Sequence, residues 1–152
     1  MENTQLKLGN QVCFPIYSVS RLLTKAYRPH LEQLGLTYPQ YLVLLVLWEK
    51  DKCTVNHITE KLFLNTNTLS PLLKRMEKMN LLERIRSNAD ERNVIIQLTD
   101  TGSQLKTLAL SIPENLLKTL LTENITMNDI TQLRDTLNEW ITILKSDTKN
   151  LE

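Results

Sequence analysis

A cysteine thiol becomes a nucleophile and a reductant once it ionises, and the chain has two such residues, Cys13 and Cys53. Cys13 falls at or just before the first turn of a predicted helix. Unpaired N–H groups at a helix N-terminus favour a thiolate over a thiol. A partly exposed thiolate is what oxidation to sulfenic acid by a peroxide requires. The competing reading is a small buried hydrophobe, the ordinary fate of a lone cysteine. Tyr17 follows four residues later on the same helical face, and Tyr27 and Tyr38 are the next phenols. A phenol O–H can donate to a thiolate and hold it. Taken alone, these tyrosines read more readily as buried side chains with ordinary backbone partners.

A second constellation carries charge and hydroxyls. Thr66, Ser70, Lys74 and Lys78 lie four residues apart, so a helix stacks them on one stripe. The stripe begins at the helix N-terminus, where hydroxyls and free N–H groups can meet phosphates and base edges. Lys74, Arg75, Lys78, Arg84, Arg86 and Arg92 form the candidate basic patch, and Asp90 stands two residues before Arg92. An arginine at a hairpin tip can enter a DNA minor groove, posed by a neighbouring carboxylate. A Thr/Ser/Lys stripe is also what a solvated helix face looks like; the helix and hairpin in succession favour the nucleic-acid reading.

The elements that must position these groups read as helices with one β excursion. Val12, Ile16, Val19, Leu22 and Leu23 predict a helix from about 12 to 34, with Pro15 in its first turn or kinking it. Thr37 and Gln40 form a capping box ahead of an apolar run, Tyr41 to Trp48, that is a helix if the cap decides. Thr54 caps a short helix with Val55, Ile58 and Leu62 inward, and Phe63-Leu64-Asn65 breaks it. The next helix buries Leu69, Leu72, Leu73, Met76 and Met79. The period then changes from 3.6 to 2: Leu82 to Arg86, a polar turn, and Arg92 to Leu98 predict a β-hairpin. Thr99 caps a helix with Leu105, Leu108 and Ile112 on one face, interrupted at Pro113. Thr126 and Asp129 cap the last helix, with Ile130, Leu133, Leu137, Ile141 and Leu144 as its stripe.

The fold class is therefore mainly α with a small β-hairpin, a winged helix-turn-helix with N- and C-terminal dimerisation helices. The chain is one domain, residues 1–152. Residues of about 1–35 and 113–152 supply the dimerisation helices, and about 37–98 form the DNA-binding lobe. The flanking helices carry more apolar stripe than one small domain uses, and a dimer is the natural sink for it.

Composition narrows the functions. The chain has 152 residues, 18 Lys plus Arg, 17 Asp plus Glu, and a net charge of +1. Residues 1–52 and 53–97 are each +2 and residues 98–152 are −3, so the reader region is mildly basic and the tail acidic. Only three glycines are present, and the phosphate-binding loops G-x-G-x-x-G and G-x-x-x-x-G-K-[ST] cannot be written with them. His30 and His57 are too far apart for H-E-x-x-H, and Cys13 and Cys53 make no C-x-x-C pair. No metal and no cofactor is expected. Nothing approaches the roughly 20 apolar residues of a membrane span. Two cysteines with no export signal make a reducing cytoplasm the default and free thiols the expectation.

Four motifs in order then resemble the OhrR branch of the MarR family, the organic-hydroperoxide-sensing repressors. They are Asn10-Gln11-Val12-Cys13-Phe14, Leu36 to Val43, Thr68 to Glu77, and Asp90-Glu91-Arg92. The resemblance runs from about residue 10 to 144. It implies a homodimeric winged helix that represses from a palindromic operator in double-stranded DNA and releases it when Cys13 is oxidised by organic hydroperoxide. It also implies that Tyr27 and Tyr38 hold the Cys13 thiolate from the other subunit. Asn65, Thr66, Asn67, Thr68, Ser70, Lys74 and Arg75 fall in the matching recognition helix, and Asp90 and Arg92 in the wing. The chain departs from the family pattern at Asn65-Thr66-Asn67, often Asp-Ser-Gly, and at Pro15, usually aliphatic. A resolving cysteine of the two-cysteine members is absent around Leu116 to Leu121, so the chain is of the one-cysteine type. Its oxidised Cys13 would take an external small thiol into a mixed disulfide, or go on to sulfinic acid. Cys53 is read as structural. The rivals are a MarR-type regulator released by a small phenolic ligand, a thiol peroxidase, and a scaffold without DNA binding.

Overall fold

The computed structural model describes residues 4–86 and 94–149. Two short 3-10 turns, Thr4–Leu6 and Leu8–Asn10, lead into α1 (Cys13–Glu32). α2 (Tyr38–Glu49), β1 (Cys53–Thr54), α3 (Val55–Leu62) and α4 (Thr66–Lys78) follow, then the strands β2 (Leu82–Arg86) and β3 (Val94–Leu98). α5 (Asp100–Ala109), α6 (Ser111–Leu120) and α7 (Met127–Lys149) complete the chain. By its internal packing the chain divides into residues 1–112 and 113–152.

The caps predicted from sequence are in place. The Thr37 N–H donates to Gln40 Oε1 at 2.8 Å. Thr54 Oγ1 accepts the His57 N–H at 3.1 Å and Thr99 Oγ1 that of Gly102 at 3.1 Å; Asn65, expected as part of the break before α4, caps as well, its Oδ1 accepting the Thr68 N–H at 2.8 Å. Each satisfies an N–H that the first helical turn leaves open. α3 stops at Phe63, whose φ of 55° ends the helix in the left-handed region, and this is the break that turns the chain into α4.

α2 is the pillar of the first unit. Gln40, Tyr41, Val43, Leu44, Val46 and Leu47 are all buried, so the apolar run has no outer face and periodicity alone could not type it. Around it pack Leu31 and Leu36, Ile58 of α3, Leu69, Leu72, Leu73 and Met76 of α4, and Ile96 of β3. Pro15 sits in the first turn of α1, where a missing N–H costs nothing.

The sheet has three strands, in the order β1-β3-β2. β2 and β3 pair antiparallel, Leu82 with Leu98 and Arg86 with Val94. The two paired strands of the expected hairpin are therefore present; Arg92 and Asn93, where the second was expected to begin, lie outside the described residues. β1 was not foreseen. It is only two residues long, Cys53 opposite Ile96 and Thr54 opposite Ile95, too short for any alternation to mark it.

Three expectations need correction. Leu108 does not share the inward face of α5: it is 61% exposed, while Gly102, Ala109 and Ile112 are buried. The helix does not break at Pro113. It breaks at Leu110, and Pro113 lies in the first turn of α6, the tolerated place for it. Met79 is not a core residue of α4; it is exposed just past the helix end, where its sulfur accepts from Gln40 Nε2 at 3.3 Å.

In the second unit Thr126 and Asp129 cap α7 reciprocally. The Thr126 N–H donates to Asp129 Oδ2 at 2.7 Å and the Asp129 N–H to Thr126 Oγ1 at 3.3 Å. The Thr126 hydroxyl donates to the same carboxylate at 2.6 Å and holds its pKa below the usual range.

Candidate redox site and nucleic-acid interface

Cys13 is the first residue of α1, and its thiol is free and exposed. The 3-10 segment before it is tied down by side-chain bonds: Asn10 Nδ2 donates to the Thr4 carbonyl at 2.6 Å and Gln11 Nε2 to that of Gln5. Tyr17 stands one turn on, also exposed. Its hydroxyl accepts from Arg21 Nη1 at 2.8 Å, and the guanidinium carbon lies 5.6 Å from the ring centre, a cation–π contact. Arg21 was not singled out from sequence, although a cation at i+4 of an exposed tyrosine is a readable signal.

Tyr27 and Tyr38 meet across α1 and α2, with ring centres 5.0 Å apart and planes tilted by 46°. Tyr41 lies behind them, 5.8 Å from Tyr27 and 6.4 Å from Tyr38. Burial raises the pKa of both Tyr27 and Tyr38, and for Tyr27 the neighbouring Tyr38 adds to it. Both phenols therefore keep their protons and remain hydrogen-bond donors above the usual tyrosine range. Beside Tyr38 a groove of about 630 Å³ runs along α1, edged by Arg21, Lys25 and Arg28 and floored by Leu31 and Leu36.

Cys13 and Tyr27 are separated by fourteen residues of one helix, about 21 Å at 1.5 Å per residue. A chain cannot bring its own Tyr27 to its own Cys13 while α1 is intact. Any meeting of the two must join two copies. Cys53 is different in kind: it is buried in β1, and that burial pushes its thiol up. A protonated thiol in the core is a poor nucleophile.

Burial, and then Tyr27 and Tyr38, push the Tyr41 pKa up to about 12. The folded state thus keeps a proton that an unfolded tyrosine loses near pH 10. This contribution to stability is complete below pH 10 and disappears as pH rises towards 12. Thermal melts between pH 8 and 12 should show a steep fall in that window. In Tyr41→Phe the fall should be shallower, and an unchanged slope would contradict the assignment.

The second constellation lies on α4 and the sheet. Thr66, Asn67, Thr68, Lys74 and Arg75 are exposed, Ser70 is half-buried, and Leu69, Leu72, Leu73 and Met76 fill the inner face. The stripe is therefore brought to the surface as one face. Asn65 is at its head, but its side-chain oxygen is taken by the cap. Arg86 is exposed at the end of β2. Arg84 is drawn inward: its Nη1 lies 3.9 Å from Glu77 Oε2, and its backbone N–H donates to Glu77 Oε1 at 3.2 Å. Asp90 and Arg92 lie outside the described residues. Sequence reasoning missed Thr54 and Asn56, which line a cleft with Thr66, Ser70 and Arg84; the cap at Thr54 was the only signal.

Among the described residues no cluster of three metal-ligating side chains occurs, and no helix is long and apolar enough to cross a membrane.

Residues 25–108 match the family described as transcriptional regulator SarA/Rot. The organic hydroperoxide resistance transcriptional regulator of Bacillus subtilis (strain 168) is 50% identical over 119 residues, covering 77% of this chain and 81% of that protein. Reduced AbfR bound to DNA is 39% identical with a TM-score of 0.77, covering 95% of this chain and 99% of that one. AbfR is a protein of Staphylococcus epidermidis. Its disulfide-formed structure is 39% identical with a TM-score of 0.62, covering 93% and 97%.

Proposed function

The chain belongs to the SarA/Rot family of winged-helix, MarR-like transcriptional regulators, and on that premise we propose that it is a redox-sensing repressor switched by Cys13. The reduced homodimer holds a palindromic operator in duplex DNA. An organic hydroperoxide then transfers oxygen to the Cys13 thiolate: the O–O bond breaks, the alkoxide leaves and takes a proton, and sulfenic acid remains. A small thiol attacks that sulfur, water leaves, and a mixed disulfide forms. The protein acts in the cytoplasm, which supplies the small thiol.

The observation that carries the reading is the separation of Cys13 from the Tyr27–Tyr38 pair. The sulfur is exposed at one end of α1 and the phenols are packed at the other, so the pair completes its site with the Cys13 of a second copy. Residues of about 1–35 and 113–152 form the dimer. The apolar residues that α1 and α7 expose, among them Phe14, Val19 and Leu22, and Leu133, Trp140 and Ile141, support that assignment. Residues of about 37–98 read the DNA. Asn65 holds the start of α4. Thr66, Asn67, Thr68, Ser70, Lys74 and Arg75 face the major groove, with Arg84, Arg86, Asp90 and Arg92 on the wing side.

Adding oxygen or a thiol adduct to Cys13 enlarges it and removes the anion that the phenols hold. The interface repacks, and the two α4 helices lose the spacing of about 34–36 Å that successive major grooves demand. The experiment uses a duplex selected from a random pool by the reduced protein. Stoichiometric cumene hydroperoxide with cysteine present should release it, and dithiothreitol should restore binding. Retention of the duplex under oxidation, or its release by salicylate with Cys13 reduced, would refute the proposal.

A further inference from the structure

The cleft behind the recognition stripe has the composition of an anion site. It is lined by Thr54 and Asn56 at the start of α3, Thr66 and Ser70 on α4, and Arg84 on β2, with Val55 and Val94 as its apolar wall. Among the described residues no carboxylate lines it. Its volume is about 170 Å³. At about 30 Å³ per water, that is room for about five waters, enough for a tetrahedral oxyanion with part of its hydration.

Arg84 supplies the charge, and its bonding among the described residues is incomplete. Its Nη1 is at the outer limit of an ion pair with Glu77, and its side chain is only 25% exposed. Its Nε is buried and has no hydrogen-bond partner among the described residues. A buried donor without a partner is costly, and such groups in native proteins call for an explanation. Glu77 also accepts the Arg84 backbone N–H, which anchors α4 to β2 and fixes the root of the arginine. A guanidinium at the edge of ion-pair range of one carboxylate, lining a cleft with four hydrogen-bonding side chains, has the chemistry to clamp an oxyanion.

We propose that this cleft seats a phosphodiester of the bound duplex, with Arg84 as its anchor and Thr54 and Asn56, from α3, as further contacts. The inference rests on the DNA-binding reading above and adds a role to it. Thr66 and Ser70 belong both to the cleft and to the stripe assigned to the major groove, so a phosphate lodged here fixes how deep and at what angle α4 enters. Arg84 then positions the protein on any sequence, and discrimination among bases is left to the exposed stripe.

Two variants test this by opposite routes. Arg84→Gln removes the anchor. It should weaken operator and random duplex by the same factor, about tenfold, and lower the slope of log K against log salt by about 1. Asn56→Asp puts a carboxylate into the cleft at the first turn of α3, where negative charge supports the helix. It should leave the melting temperature unchanged or raised while weakening DNA by a similar factor, which separates a lost contact from a lost fold. A methylphosphonate scan of the duplex should find one neutralised phosphate per half-site that costs the native protein affinity but costs Arg84→Gln nothing. Unchanged affinity and salt slope in both variants would overturn the proposal, as would a loss in Arg84→Gln confined to the operator. Inorganic phosphate separates a free-anion site from a backbone site: occupancy of the cleft by phosphate, with both variants binding DNA normally, would also overturn it. If the native protein binds no duplex at any salt, the repressor reading itself has failed, a different outcome from any of these.

Discussion

Cys13→Ser should bind the operator as tightly as the native protein and stay bound when hydroperoxide and a small thiol are added. The hydroxyl is nearly isosteric with the thiol, and at an exposed helix start the change should cost well under about 1 kcal/mol of stability. What it removes is the only exposed thiol in the described structure. The native protein should lose about 100-fold in affinity on oxidation, near the upper end of what coupling between two sites supplies, while the variant loses less than about twofold. Cys53→Ser is the companion. Because Cys53 is buried against the sheet, that change should lower the melting temperature and leave release intact. A native-like response in Cys13→Ser would move the switch elsewhere.

The largest effect on stability is expected from Gly102→Ala. In an ordinary helix this change stabilises by nearly 1 kcal/mol. Here a Cβ on Gly102 would lie 2.0 Å from the Leu81 carbonyl oxygen and 3.0 Å from its carbon. That carbonyl cannot retreat freely, since it accepts the Thr99 N–H at 3.2 Å, the residue that caps α5. Leu98 Cδ2 closes the other side at 3.1 Å. α5 must therefore lift off the end of the sheet. The Gly102 carbonyl would move with it, away from the Trp48 indole N–H that donates to it at 3.0 Å. A loss of about 3 kcal/mol, or roughly 10 °C in melting temperature, follows from overpacking on this scale. Ser103→Ala, an exposed position on the same turn, should be neutral or slightly stabilising. A Gly102→Ala protein that melts with the native one would contradict the geometry, and a shift in tryptophan emission should accompany the expected loss.

Much of this architecture was legible because local chemistry decides it. Thr37 with Gln40, Thr54, Thr99, and Thr126 with Asp129 announce helix starts within four residues of chain. The shift of period at Leu82 announces a strand in the same way. The sulfur and the stripe were legible for the same reason, as Cys13 sits at a helix start and Thr66, Ser70 and Lys74 repeat every four residues. What escaped depends on residues far apart in sequence. β1 is two residues that become a strand only because Ile95 and Ile96 lie opposite. Leu108 obeys the helical period yet faces outward, because the core is reached through Gly102 and Ala109 instead. Arg84 looked like any basic residue of the wing. Only the approach of Glu77 and the cleft it shares with Thr54 and Ser70 set it apart. The aromatic run from Tyr27 through Tyr41 to Trp48, whose last rings stand 6.1 Å apart, links elements that no local pattern joins.

The most direct test counts modified sulfur and bound DNA in one sample. Hydroperoxide is added in substoichiometric steps to the protein–operator complex with a small thiol present. Each aliquot is split between intact and peptide mass spectrometry, for Cys13 and Cys53 separately, and fluorescence anisotropy of the duplex. The account predicts that the fraction of DNA released follows the fraction of Cys13 carrying the thiol adduct, step for step, with Cys53 unmodified throughout. Operator leaving while Cys13 is still a free thiol, or Cys13 fully converted with the operator still held, would contradict it.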